Sequence, residues 1–152
     1  SLHTNGRLAL AKIDVFNRYD RATISIPSFR LETFRRMTGC DGGPDLAAIL
    51  RLAMIPVKIS TLVTQDNRQE IPEIINRCRE LAVRRLVLRR LYGETRPDDF
   101  FPDLAPLRVF AGNPVYDVDG LEVTVWDFAR STLRCLNLFS DGTISRDYRL
   151  AG

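Results

Sequence analysis

Lys58 is the residue least easily explained by packing. It lies in the run Val57-Lys58-Ile59-Ser60-Thr61-Leu62-Val63-Thr64, whose β-branched residues predict a strand. Strand alternation sets Lys58, Ser60, Leu62 and Thr64 on one face and Val57, Ile59, Thr61 and Val63 on the other. An ammonium buried without a partner is strongly disfavoured, so Lys58 must reach water by snorkelling to a sheet edge or must meet an anion. Arg89 and Arg90 close a second such run, Arg85-Leu86-Val87-Leu88-Arg89-Arg90. One of the two arginines points to each face, and the inward one can grip a carboxylate or phosphate through two parallel N–H bonds. Parity alone does not say which. Thr4, Asn5 and Ser25 stand at or near the ends of two further candidate strands, the end where βα barrels carry their chemistry. Asn5-Gly6 reads equally well as a plain turn.

Other reactive residue types point to structure. His3 is the single histidine and reads as a packed bystander at a strand end. Cys40, Cys78 and Cys135 are far apart and lack metal-ligand spacing, so they read as reduced thiols of a cytoplasmic protein with no metal site of its own. Asp117 and Asp119 beside Gly120 suggest a hairpin turn, because the other oxygen ligands of a calcium loop do not follow. Trp126 and Phe128 read as core residues of a β-meander.

The elements that must position these side chains belong to an ordinary globular composition: 152 residues, 45% hydrophobic and 27% charged. A chain of this length buries about two thirds of its unfolded surface and needs no disulfide or metal to fold. No window approaches the roughly 18 apolar residues of a membrane span. The net charge is +3, and all 22 basic residues except Lys12 and Lys58 are arginine. Offset by 19 acidic residues, that excess reads as a compositional habit of the genome and argues against a nucleic-acid partner or a membrane surface.

Strands are expected at 21–26, 57–63 and 85–90, with a strand end at Leu2-His3-Thr4. Helices are expected over Leu8 to Phe16, behind the Gly42-Gly43-Pro44-Asp45 turn, and along Ile71, Ile74, Ile75, Cys78 and Leu81, with Pro72 in the first turn of the last. Arg77, Arg79, Arg84 and Arg85 crowd that helix end, as cations near a helix C-terminus do. This alternation predicts right-handed βαβ connections and a parallel sheet. After Gly93 comes a polar, Pro-rich stretch, then alternating runs such as LEVTVWDF and TLRCLNLF. The expected organisation is a partial βα barrel over 1–93, a linker over 94–109 and an antiparallel β-meander over 110–152. So few parallel strands leave an edge open, so the opening strands of the barrel are expected to lie outside the chain.

Four stretches in register, Leu2-His3-Thr4-Asn5-Gly6, Thr23-Ile24-Ser25-Ile26-Pro27-Ser28, the run from Pro56 to Asn67, and Val83 to Leu88, resemble the second half of the radical S-adenosylmethionine (radical SAM) core. The resemblance covers roughly residues 2–93. It implies that Thr4, Asn5, Ser25 and Ser60 lie at the adenosylmethionine and that Lys58, Arg89 and Arg90 face a small-molecule or peptide substrate. Molybdenum-cofactor-type members carry Lys-x-Asn where this chain has Lys58 and Ser60. For the parent protein the resemblance implies a [4Fe–4S] cluster, reductive cleavage of adenosylmethionine and hydrogen abstraction by a 5′-deoxyadenosyl radical. The family's C-x3-C-x2-C loop and its glycine-glycine-glutamate stretch are absent here. Members often have Asp at the position of Pro27, and Gly at those of Met54 and Ala82. The chain alone is therefore expected to bind no cluster and to be inactive. The competing readings are a small nucleotide-binding α/β module and an Arg-rich RNA-binding domain. The first would want a glycine-rich loop after its opening strand, whereas GCDGG at 39–43 follows a helical stretch.

Overall fold

The computed structural model describes residues 1–93, 100–133, 137–138 and 142–145. Seven strands form one open, mixed, mostly parallel sheet. In chain order they are β1 (Leu2–Thr4), β2 (Ala22–Ser25), β3 (Val57–Leu62), β4 (Arg85–Arg89), β5 (Arg108–Phe110), β6 (Asn113–Val118) and β7 (Leu121–Trp126). Their spatial order is β1-β2-β3-β4-β7-β6-β5. The strands β1 to β4 and β7 run parallel, and β5 and β6 complete an antiparallel edge. A separate pair, β8 (Asn137–Leu138) and β9 (Ile144–Ser145), is antiparallel. Within the expected strand run TLRCLNLF, Asn137–Leu138 form β8, while residues 134–136 and 139, with them Cys135, lie outside the described residues, as does Pro97.

The helices are α1 (Ile13–Phe16), α2 (Leu31–Thr38), α3 (Leu46–Leu52) and α4 (Ile71–Glu80), with a 3-10 turn at Arg68–Glu70 before α4. Each parallel strand from β1 to β4 neighbours the next in sequence, an order in which right-handed crossovers carry connecting helices to one face. The core agrees. Ile24, Ile59, Leu86 and Val123 stand side by side across four strands, all completely buried against Phe16, Ile49, Ile74 and Cys78 from α1, α3 and α4. Burying side chains of this size stabilises the fold by roughly 1.5–3 kcal/mol each.

Local chemistry explains the element ends. Asp45 caps α3, accepting a hydrogen bond from the Ala48 N–H at 2.9 Å, which satisfies an otherwise orphaned donor. Pro72 occupies the first turn of α4, where its missing N–H costs nothing. This helix ends in paired bonds from the Val83 N–H to the Cys78 carbonyl and from the Ala82 N–H to the Arg79 carbonyl, both 2.9 Å. Such a cap needs a left-handed residue, and Ala82 supplies it with φ 54°. Both hairpins of the antiparallel edge close through two positive-φ residues, Ala111-Gly112 and Asp119-Gly120, the turn whose twist suits paired strands. At Gly112 a Cβ would fall 2.1 Å from the Arg130 carbonyl oxygen, so the position admits only glycine.

Several expectations change. The helix expected from Leu8 shortens to Ile13–Phe16, preceded by turns, because only Ala9 of the earlier stretch is buried in the core. Strand β5 begins at Arg108, inside the stretch expected to be linker. The β5-β6-β7 meander continues the main sheet, because β7 pairs along its whole length with β4. Helix α2 is the helical stretch expected before the GCDGG segment; it buries only Thr33 and Phe34, too narrow a stripe to fix its bounds in the sequence.

Candidate functional site

Alternation gives the sheet a second face, outside the helix-packed core of the described residues, on which Thr23 and Ser60 are nevertheless buried. Every strand residue of the helix-packed core has the parity of Ile24 and Ile59. The opposite parity presents Thr23 and Ser25 on β2, Lys58 and Ser60 on β3, Arg85, Val87 and Arg89 on β4, and Glu122, Thr124 and Trp126 on β7. Register aligns them in rows. Thr23 stands beside Lys58, Ser25 lies in line with Ser60, Val87 and Thr124, and Leu62 lines up with Arg89 and Trp126.

This face is cationic. Lys58 is half-buried, and burial lowers its pKa, helped by repulsion from Arg21, Arg85 and Arg89. No ion pair of Lys58 or Arg89 forms among the described residues, and the Arg89 Nε is buried without a hydrogen bond. The neighbouring carboxylate is already engaged: Glu122 lies 3.5 Å from the Arg85 Nε and 2.5 Å from the Arg108 guanidinium. Arg21 and Arg85 escape a reading by sequence because each looks like part of a surface charge run. Their parity with Thr23 and Val87 is the signal that places them here.

The structure separates the expected site residues into two groups. Ser25, Ser60, Lys58 and Arg89 share the helix-free face. Arg90 falls on the other parity, buried, with its Nη1 3.5 Å from the Asp127 carboxylate and its N–H bonded to the Trp126 carbonyl. Thr4 and Asn5 serve the turn after β1. The Thr4 hydroxyl accepts from the Gly6 N–H and the Asn5 side-chain Oδ1 accepts from the Arg7 N–H, both at 3.1 Å. Gly6 adopts φ 77°, and a Cβ there would press on Ile24 and Pro44 at 3.0 Å. The turn therefore requires glycine twice over. His3 is exposed beside Thr23.

Buried polar clamps fix the C-terminal rim of the strands. Asn67 is fully buried. Its Nδ2 donates to the carbonyls of Pro27 at 2.7 Å and Leu62 at 2.8 Å, and its Oδ1 accepts from the Thr64 N–H at 2.8 Å. One side chain thus ties the end of β2 to the end of β3. Glu70, also buried, accepts from the hydroxyls of Ser28 and, at 2.6 Å, Thr33. Along the same rim Trp126 meets the rings of Phe110 and Phe128, with centroids 6.4 Å away in each case. The half-buried Trp126 thus edges the helix-free face and lies outside the main core.

The described residues do not fit an iron-sulfur cluster. Cys40 follows α2, Cys78 is buried within α4 with its thiol pushed up to about 12 by burial, and no group of three or more His, Cys, Asp or Glu side chains converges among the described residues. The glycine-rich stretch 39–43 joins α2 to α3, which is not the strand-to-helix position of a phosphate loop. No described helix is long and apolar enough to cross a membrane. Comparison with family models, curated proteins and solved structures finds no match for the chain.

Proposed function

We propose that this sheet is part of the wall of a radical SAM barrel, with its helix-free face turned toward the barrel interior. One observation carries the reading: helices on a single side of sequentially ordered parallel strands, and on the other side a polar face holding Ser25, Ser60, Lys58 and Arg89. A barrel wall has this asymmetry, since its strands face helices outward and side chains inward. The four sequence stretches that resemble the radical SAM core map onto β1 to β4 and their C-terminal ends.

In this reading Ser25 and Ser60 offer adjacent hydroxyls to adenosylmethionine, which when bound supplies the hydrogen-abstracting chemistry. Lys58 and Arg89 hold an anionic or carbonyl oxygen of the substrate and so fix which hydrogen is presented, a positioning role with large rate consequences. Asn67 and Glu70 keep the strand ends from moving. Ligands for an iron-sulfur cluster must come from outside the described residues. The test is the full-length protein, reconstituted anaerobically with iron and sulfide and reduced with dithionite. Formation of 5′-deoxyadenosine from adenosylmethionine is the expected result, and a reduced, folded protein that forms none contradicts the reading.

A further inference from the structure

We infer that the helix-free face holds a site for a doubly charged oxyanion, the phosphoryl group of a small molecule, gripped by Lys58 and Arg89 with Arg85 and Arg21 close behind. This narrows the substrate oxygen that the proposed function gives to Lys58 and Arg89, and its test needs no adenosylmethionine, so the site can stand if that reading falls. The pairing of Ile59 with Leu86 sets Lys58 level with Arg85 on adjacent strands, whose backbones lie about 4.8 Å apart. Arg21 shares the parity of Thr23, the partner of Lys58. Arg89 stands four residues along β4, on the same face, between Leu62 and Trp126. Three neighbouring strands therefore deliver cations to one patch.

Glu122 partly neutralises the patch at Arg85, but no ion pair reaches Lys58 or Arg89 among the described residues. Glu122 is shared by Arg85 and Arg108, and Asp117 accepts from the Gly120 N–H of its own turn at 2.7 Å. Like charges held together at a partly desolvated surface repel, and the repulsion from all three arginines falls on Lys58. The buried Arg89 Nε lacks an acceptor. A carboxylate brings one charge and would leave most of the repulsion in place. A phosphate monoester brings about −1.5 to −2 charges and three acceptor oxygens, enough for the ammonium, a guanidinium fork and the Thr124 hydroxyl in the adjoining row.

Trp126 is the single tryptophan of the chain and stands opposite Arg89, so its emission reports on the site. The chain is titrated with inorganic phosphate while chloride holds the ionic strength constant, which cancels general salt effects. A saturable change is expected, with at least about tenfold weaker binding in Lys58→Met and in Arg89→Met, and no weakening in Arg51→Gln on α3. Acetate over the same range should give no saturation. Circular dichroism identifies any variant that fails to fold, and Arg89→Lys, which keeps the charge, should retain part of the affinity. Equal phosphate binding by the wild type and both methionine variants, or no saturable response in the wild type, overturns the site. Oligouridylate binding more tightly than phosphate, with a steep loss in salt, would assign the patch to RNA and overturn it as well.

Discussion

Ile59 and Ser60 are neighbours in one strand, yet they belong to different environments. Ile59 lies in a row of fully buried aliphatic side chains sealed by α1, α3 and α4. Ser60 lies in a row of hydroxyls bordered by Lys58 and Arg89. Strands of an all-parallel sheet are usually covered on both sides and read as continuous apolar runs. Here β2, β3 and β4 alternate. A sheet that tolerates a half-buried lysine and an arginine without carboxylate partners among the described residues has one face sealed by apolar packing and a second, polar face.

The largest difference should appear when equivalent truncations are made on the two faces. Leu86→Ala opens a cavity in the sealed row and is expected to cost about 2–5 kcal/mol, whereas Thr124→Ala, on the helix-free face, should cost under about 0.5 kcal/mol. Urea midpoints of the two variants decide this. Asn67→Ala comes next. It strands the Pro27 and Leu62 carbonyls and the Thr64 N–H, and leaving buried groups unsatisfied costs about 1–3 kcal/mol each. The variant should unfold earlier and show faster amide exchange at the ends of β2 and β3.

Lys58→Met should act in the opposite direction. Burial and the three arginines lower the Lys58 pKa in the folded protein, so near-neutral pH forces a disfavoured charge on the fold. Removing it should raise the urea midpoint of the unliganded protein. The sign with pH follows from linkage: in the window below 10.5 the unfolded chain holds more protons at this site than the folded one, and wild-type stability gains as pH rises through it. The advantage of Lys58→Met should therefore shrink as pH approaches 10.5. An advantage that grows with pH would mean that Lys58 has an acidic partner. The smallest effect is expected on neither face, at the cap of α4. Ala82 holds a left-handed conformation that disfavours a Cβ, and Ala82→Gly should gain about 0.5–1 kcal/mol in thermal unfolding.

What the sequence makes legible follows the range of the interactions involved. The strands β2, β3 and β4, Pro72 at the start of α4 and the Asp119-Gly120 turn are set by near neighbours, and their residues announce them. The parity of Lys58 and Ser60 is likewise local. Which of Arg89 and Arg90 shares the face of Lys58 depends on the register of β3 with β4, which no local pattern encodes. The clamp at Asn67 needs the Pro27 carbonyl from another strand end. The turn at Asn5-Gly6 is one of the two readings the sequence offers, whereas the part of Thr4 in it, accepting from the Gly6 N–H, is visible only in the structure. Joining the meander to the sheet is a tertiary choice, made when the apolar side of β7 finds β4.

The most direct test of the two-faced sheet compares adjacent residues of β4. Val87 lies between Ser60 and Thr124 on the helix-free face, and Leu88 lies fully buried against the helices. With the native cysteines replaced, Val87→Cys and Leu88→Cys are treated with iodoacetamide in the folded protein, with and without phosphate. Val87→Cys is expected to be alkylated, with phosphate slowing the reaction, and Leu88→Cys to stay protected until the protein unfolds. Equal protection at both positions, or a Val87→Cys rate that phosphate does not change, would contradict a ligand-binding face on this side of the sheet.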